Sequence, residues 1–219
     1  MKRAVPNFNP IARPYRWLEY LTLGPTLQQT RLHHLPSLTQ QKSALILGDG
    51  DGRFLAQLLT QNPHLQAEAI DTSATMLHLL SRRCAPYADR LQTHQTNALA
   101  FHPEPTTKYD LIVTHFFLDC LTQTELEALI TQLTPHLTPG ALWLISDFRI
   151  PPTGPMRLIA RAYIRTLYLI FRILTNLRVT ALPDHATALT QSNFARIAQH
   201  HRLAGLTTSE LWQSPTQET

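Results

Sequence analysis

Apolar positions along the chain follow two spacings that take turns. Ala44 to Leu47 is a short continuous apolar run of strand character. From Phe54 the spacing becomes helical, with Phe54, Leu55, Leu58 and Leu59 on one side, up to a stop at Asn62-Pro63. A strand is predicted over 66–71, and Ser73 is placed to cap a helix over 74–83. Leu91 to Thr96 alternates with period two, and Tyr109 to His115 is β-branched at its centre; both read as strands. Leu126, Leu129, Ile130 and Leu133 give one apolar face to a helix over 124–137, Pro139-Gly140 turns the chain, and Ala141 to Ser146 reads as a fifth strand. Strands and helices alternating at these lengths predict a parallel sheet covered on both faces.

The flanks differ. Ile11, Tyr15, Leu18, Tyr20 and Leu21 form a rough helical stripe broken at Gly24-Pro25, and a second helix is predicted from Thr26 to Leu35, stopped by Pro36. This N-terminal pair, residues 1–42, reads as a helical lid over the ligand cleft, with Tyr15 and Arg16 as candidate contacts. The core occupies 43–150. After the breaker Pro151 to Pro155, a helical insert fills 151–187, and its Met156 to Val179 stretch is a long helix. Arg157, Arg161, Arg165, Arg172 and Arg178 fall within an arc of about 140° on it. Arginines interrupt it too often for a membrane span. It reads as an ordinary core-packed helix with a solvated stripe, a lid over an apolar substrate, a membrane-surface helix or a dimer face. Residues 188–219 complete the same domain with the end of a short helix, opened by Leu182-Pro183-Asp184, and two segments, Ala195 to Leu203 and Leu206 to Trp212, whose periodicity alone decides neither helix nor strand.

Between the first strand and the first helix lies Gly48-Asp49-Gly50-Asp51-Gly52, with glycines at alternate positions. Strand, glycine turn and helix together let a ligand lie against bare backbone N–H groups, in space that a Cβ would fill. The second strand ends in Asp71, the roughly 20-residue spacing at which a carboxylate accepts from two ribose hydroxyls. These features read as a nucleoside-binding βαβ unit. The position that would complete a dinucleotide G-x-G-x-x-G is Arg53, and Asp49 and Asp51 would oppose a pyrophosphate. A carboxylate about 6 Å from that charge costs roughly 3 kcal/mol at an effective dielectric of 20. A cationic sulfonium reverses the sign, which favours S-adenosyl-L-methionine (SAM) over NAD.

Leu45 to Phe54, Ala69 to Leu77 and Leu137 to Phe148 resemble successive motifs of the class I SAM-dependent methyltransferases, most closely small-molecule enzymes such as the quinone-biosynthesis methyltransferases. The resemblance covers Ser43 to Phe148. It implies an α/β fold with a Rossmann-like, seven-stranded, mainly parallel sheet, helices on both faces and a C-terminal antiparallel hairpin with Gly205 at its turn. It implies SAM as cofactor and, as partner, a small methyl acceptor, which the apolar helix after Met156 suggests is apolar or aromatic. Cofactor contacts are expected from Gly48, Asp49, Gly50, Asp51, Gly52, Asp71, Thr72, Met76, Asn97, Ala98, Thr114 and His115. Two positions depart from the family: the acid usual two residues before the first glycine is Ile46, and the usual Asp-Ala closing the third strand is Asn97-Ala98, whose side-chain carbonyl still accepts from an adenine amino group.

A methyl on sulfonium is already activated, so the protein mainly supplies alignment and a dry site. For an acceptor that must lose a proton, His115 at the end of the fourth strand is the first candidate base and Asp119 the second; packing beside the cofactor is the competing role for His115. His102 and His185 lie in loops. Adjacent histidines, His33-His34 and His200-His201, point apart on any regular element, so no metal site is expected. Cys120 reads as a buried thiol.

The totals narrow the picture only slightly. The chain has 219 residues and a formal charge of +4. That charge is too mild, and the arginines too confined to one helix, to call for nucleic acid. Two cysteines make no disulfide framework, and the opening residues lack an apolar leader core, so a cytoplasmic setting is expected. Two alternatives stay open: an NAD-linked Rossmann oxidoreductase, and a non-catalytic SAM-binding protein. Oligomeric state is not legible in the sequence.

Overall fold

The computed structural model describes residues 23, 25–175, 179 and 181–216. The proposed lid contacts Tyr15 and Arg16, the helix expected before Gly24 and the end of the segment reaching Arg178 lie outside the described residues.

Seven strands form one sheet: β1 (Ser43–Leu47), β2 (Gln66–Asp71), β3 (Leu91–Gln95), β4 (Tyr109–His115), β5 (Leu137–Phe148), β6 (Ala195–Arg202) and β7 (Thr207–Gln213). Their order is β3-β2-β1-β4-β5-β7-β6. The first five run parallel, while β7 is antiparallel to both β5 and β6. The mainly parallel sheet with a closing hairpin matches the expectation. Strand order reverses between β1 and β4, where Leu47 stands beside Thr114 on one side and Ile70 on the other. Ligands of open parallel sheets bind beyond strand ends at such a switch point.

The crossover helices pack as their periodicity requires. On one face lie α1 (Thr26–Leu32), α2 (Arg53–Gln61) and α3 (Ala74–Arg83). Phe54, Leu55, Leu58 and Leu59 of α2 are buried with Ile46, Val113 and Leu144 of the sheet. Each such side chain contributes roughly 1.5–3 kcal/mol. On the other face, α4 (Gln123–Leu133) and α6 (His185–Gln191) bury Leu126, Leu129, Ile130 and Leu189 against Leu45, Ile112 and Trp143. Ser73 caps α3 by accepting from Met76 N at 3.2 Å, and Thr122 with Glu125 forms a capping box on α4. A third apolar cluster covers the strand ends. There α5 (Pro155–Thr175) buries Ala160, Ile164 and Tyr168 over Phe116 and Phe148.

Several boundaries shift for local reasons. The helix begun at Thr26 ends at Leu32, and Pro36 sits inside a separate 3-10 turn, Leu35–Leu38. The α4 helix stops at Leu133, before a 3-10 turn holding Pro135. The fifth strand is longer than expected: Pro139-Gly140 does not turn the chain but lies within β5, where the register with β4 slips. Gly140 takes φ +73° there and its amide donates to Pro215 O instead. The hairpin turn does not rest on Gly205 alone, since Leu203 and Ala204 both have φ +50°.

Candidate active site

The rim begins where β1 ends. Gly48 N donates to Ile70 O at 3.1 Å, tying the loop to β2. The three glycines of the loop all have positive φ, but their surroundings differ. A Cβ on Gly48 would lie 2.6 Å from the ring of Phe117, and one on Gly52 would lie 2.9 Å from the Cα of Leu80. At Gly50 the nearest atom to such a Cβ is the Met76 sulfur, at 3.9 Å. The outer glycines are therefore required by the protein's own packing, while Gly50 is where the loop backbone stays open to a ligand.

The loop carboxylates do not act as the sequence argument assumed. Asp51 is paired with Arg53 Nε and Arg83 Nη2, both at 2.9 Å. Asp49 turns inward, and its Oδ2 accepts from Leu55 N at 3.0 Å at the start of α2. Burial pushes the Asp49 carboxyl up to about 7, partly opposed by that hydrogen bond and by Arg31 and Arg53. With one carboxylate matched by two guanidiniums, the loop is not a negatively lined turn, and the preference for a cationic ligand does not follow from counting its acids.

Asp71 closes β2 as expected. Its Oδ1 accepts from Ser73 N at 2.8 Å, and burial pushes its pKa up to about 6. Next to it, Thr72 O accepts from Gln95 Nε2. Met76 is buried and reaches from α3 to Gly50. Asn97 spends its side-chain oxygen on Leu99 N at 2.8 Å, and Ala98 is buried behind it. Thr114 is fully buried, and its hydroxyl accepts from Trp143 Nε1 at 3.1 Å, so its side chain is committed to the sheet's far face.

The two candidate bases sit in different surroundings. His115 points to the α2 face, its ring edge-on to Phe54 at 4.4 Å, and neither ring nitrogen has a hydrogen-bond partner among the described residues. Burial, with a smaller push from Arg31, holds it well below the usual imidazole range, so it is neutral. Asp119 follows β4 beneath α5, where Tyr168 OH donates to its backbone carbonyl at 2.9 Å. Its backbone N–H donates to Asp147 Oδ2 at 3.1 Å, and Cys120 Sγ lies 3.5 Å from its own Oδ1. Asp119 and Asp147 are both buried. Burial pushes Asp119 up to about 6, and burial plus the charge of Asp119 raises Asp147 well above the ordinary aspartate range. Sequence reasoning did not single out Asp147, although its place near the end of β5, next to β4, was the signal that it would lie beside Asp119.

Other histidines lie apart. His33 of the α1 end stacks on His200 of β6 at 3.7 Å, and His185 contacts Glu210 at 3.3 Å. Among the described residues, no group of three or more His, Cys, Asp or Glu could hold a metal ion.

Residues 45–143 match the family model described as "Methyltransferase domain". Over 117 residues the chain is 32% identical to the tRNA1(Val) (adenine(37)-N6)-methyltransferase of Enterobacter sp. (strain 638), covering 48% of this chain and 47% of that protein. The chain thus spans about half the length of the curated relative it matches. Among solved structures it resembles an O-methyltransferase family protein from Burkholderia thailandensis (14% identity, TM-score 0.73, 99% of this chain and 66% of that one). It also resembles the N-methyltransferase NodS from Bradyrhizobium japonicum WM9 in complex with S-adenosyl-L-homocysteine (18% identity, TM-score 0.63, 86% of this chain and 88% of that one). The proteins named in these matches are methyltransferases and not hydride-transfer enzymes. The match to the methyltransferase domain thus spans the glycine loop and the Asp71 rim, and the fold as a whole is similar to that of these solved methyltransferases.

Proposed function

We propose that the chain transfers a methyl group from SAM to a small, apolar or aromatic acceptor. The observation that carries this reading is the layout of the rim at the β1–β4 switch. An open Gly50 and the Asp71 carboxylate lie on one side, and Asp119 after β4 with Asp147 near the end of β5 lies on the other, under an apolar helix. When bound, SAM supplies the activated methyl on its sulfonium. Asp71 accepts from the ribose hydroxyls, Met76 covers the nucleoside beside Gly50, and Asn97-Ala98 borders the adenine. Asp119, its pKa raised by burial to about 6, takes the proton that the acceptor loses, and Asp147 lies alongside, its Oδ2 accepting from the Asp119 backbone N–H. His115, neutral and unpartnered, is the second candidate for this role.

The acceptor meets Ile164, Tyr168 and Phe148 of the third apolar cluster, which suits a ring or an aliphatic chain. An RNA base, the acceptor in the name of the curated relative, suits this face less. Among the side chains described, the arginines of α5 stand beside the exposed aliphatic residues Leu158, Ile159, Leu169 and Ile170. Both cysteines are free thiols, in keeping with a reducing cytoplasm. Further partners of this reading are the acceptor itself and, through residues 156–179, a membrane surface.

The test is calorimetry with SAM followed by label transfer to a panel of small phenols and quinols. Asp71→Ala should weaken SAM binding by roughly 1–3 kcal/mol, because two buried hydroxyls lose their acceptor. Asp119→Asn should slow transfer while leaving SAM affinity unchanged. SAM binding without label transfer to any acceptor would point to a non-catalytic SAM-binding protein.

A further inference from the structure

Helix α5 has three faces. Its inner face, Ala160, Ile164 and Tyr168, is buried over the strand ends. At 100° per residue, Arg157, Arg161, Arg165 and Arg172 fall together on one flank, and all four are exposed. The outer face is also apolar. Leu158 is 70% exposed, Ile159 60%, Leu169 58% and Ile170 37%, and they share an arc opposite the buried one. Elsewhere among the described residues, the large apolar side chains exposed to this extent are only Ile197 and Leu203.

We infer that this outer face docks on the surface of an anionic lipid bilayer, with α5 lying in the interface plane. The inference deepens the proposed partnership and rests on the reading of α5 as the cover of the acceptor side. The pattern is what such a helix requires: an apolar stripe to enter the acyl boundary and cations beside it to meet headgroup phosphates. The segment Pro155–Thr175 contains no Asp or Glu, so its charge is of one sign along the whole helix. That disfavours a second copy of the chain as occupant, because two such faces would bring arginines together with no carboxylate from either helix between them. The helix is also too charged and too short in apolar run to cross a bilayer; among the described residues no helix qualifies. Its inner side faces the Asp119–Asp147 pair and its outer side the lipid, so an acceptor dissolved in the membrane would reach the site around the edge of this helix.

The test is co-sedimentation of the full chain with vesicles of phosphatidylcholine alone and of phosphatidylcholine with 30% phosphatidylglycerol. The expected result is binding to the anionic vesicles that is at least tenfold stronger than to the neutral ones and weakens with added salt. Leu158→Glu with Leu169→Glu should lower it at least tenfold, and Arg161→Glu with Arg165→Glu should abolish the preference for the anionic vesicles. Calorimetry with SAM on the same variants should be unchanged, so a failure of the donor site and a failure of docking read out separately. Anionic vesicles that pellet no more protein than a vesicle-free control would overturn the inference. So would leucine variants that bind like the parent chain, or a dimer in light scattering that the leucine variants dissociate. If residues 1–22 cover the face, vesicles retain nothing and the leucine variants lower the Tm instead, which overturns it too.

Discussion

Gly50 and Gly52 share a left-handed backbone, at φ +64° and +77°, but not their surroundings. Alanine at Gly50 meets only the Met76 sulfur at ordinary contact distance, so it should cost roughly 1–2 kcal/mol of backbone strain. Alanine at Gly52 adds a clash with the Leu80 backbone, and roughly 2–4 kcal/mol is expected. Urea denaturation of the two variants checks the order. Asp49 gives a pH dependence of opposite sign to the usual aspartate. Its folded pKa of about 7 lies above the unfolded value, so between about pH 4 and 7 the folded chain holds a proton that the unfolded chain has lost. Its contribution to stability therefore falls as pH rises through that window and is level above it. Asp49→Asn should remove this slope, which denaturation at pH 5 and pH 8 would reveal as a variant less sensitive to pH than the parent. At this scale the glycines, Asp71 and Met76 were legible, because spacing along a strand-loop-helix unit fixes where they end up. The side-chain partners were not. Nothing in the order of residues says that Arg83, a helix away, would neutralise Asp51, or that Thr114 would turn toward Trp143.

Crossover helices and parallel strands were legible in their hydrophobic spacing, because each buries one stripe or one run. The closing pair was not. All of β7 except its last residue is buried, yet it begins Thr-Thr-Ser-Glu, so polarity and burial part company. The reason is the docking of α1 through hydroxyls. Thr30 Oγ1 meets Thr207 Oγ1 at 3.2 Å, and Ser146 Oγ meets Ser209 Oγ at 3.2 Å. On the other side Glu210 joins three elements. It accepts from Trp212 Nε1 at 2.9 Å and Gln199 Nε2 at 2.8 Å, and it contacts His185 of α6 at 3.3 Å and Arg196 at 3.6 Å. Burial would raise its pKa, but these bonds, His185 foremost, outweigh burial and bring it down to about 2. The stability it provides is present above the unfolded glutamate value and is lost as pH falls from about 4.5 toward 2. Glu210→Gln should cost roughly 2–4 kcal/mol at neutral pH and flatten the acid limb of the unfolding curve.

For the whole molecule, the proposed donor site draws on the ends of β1 and β2 and the proposed acceptor side on β4, β5 and α5, so a ligand at the switch point would tie separate parts of the sheet together. SAM at 100 times its Kd should raise the unfolding free energy by about 2.7 kcal/mol, if it binds only the folded chain. A Tm unmoved by SAM would count against the donor site. Overall architecture was the most legible feature, since alternation of period admits few topologies; the placement of α5 was the least, because an apolar outer face looks like core to any pattern argument. Strand order carries one more consequence. Each strand from β1 to β5 finds its neighbours among segments already synthesised or soon to follow, but the outer rim of β5 takes its strand partner from β7, Thr207–Gln213. A chain stopped before Thr207 would leave Leu142–Phe148 as a bare hydrogen-bonding edge flanked by Trp143 and Ile145. Such a product should assemble edge to edge into insoluble material, however intact its glycine loop.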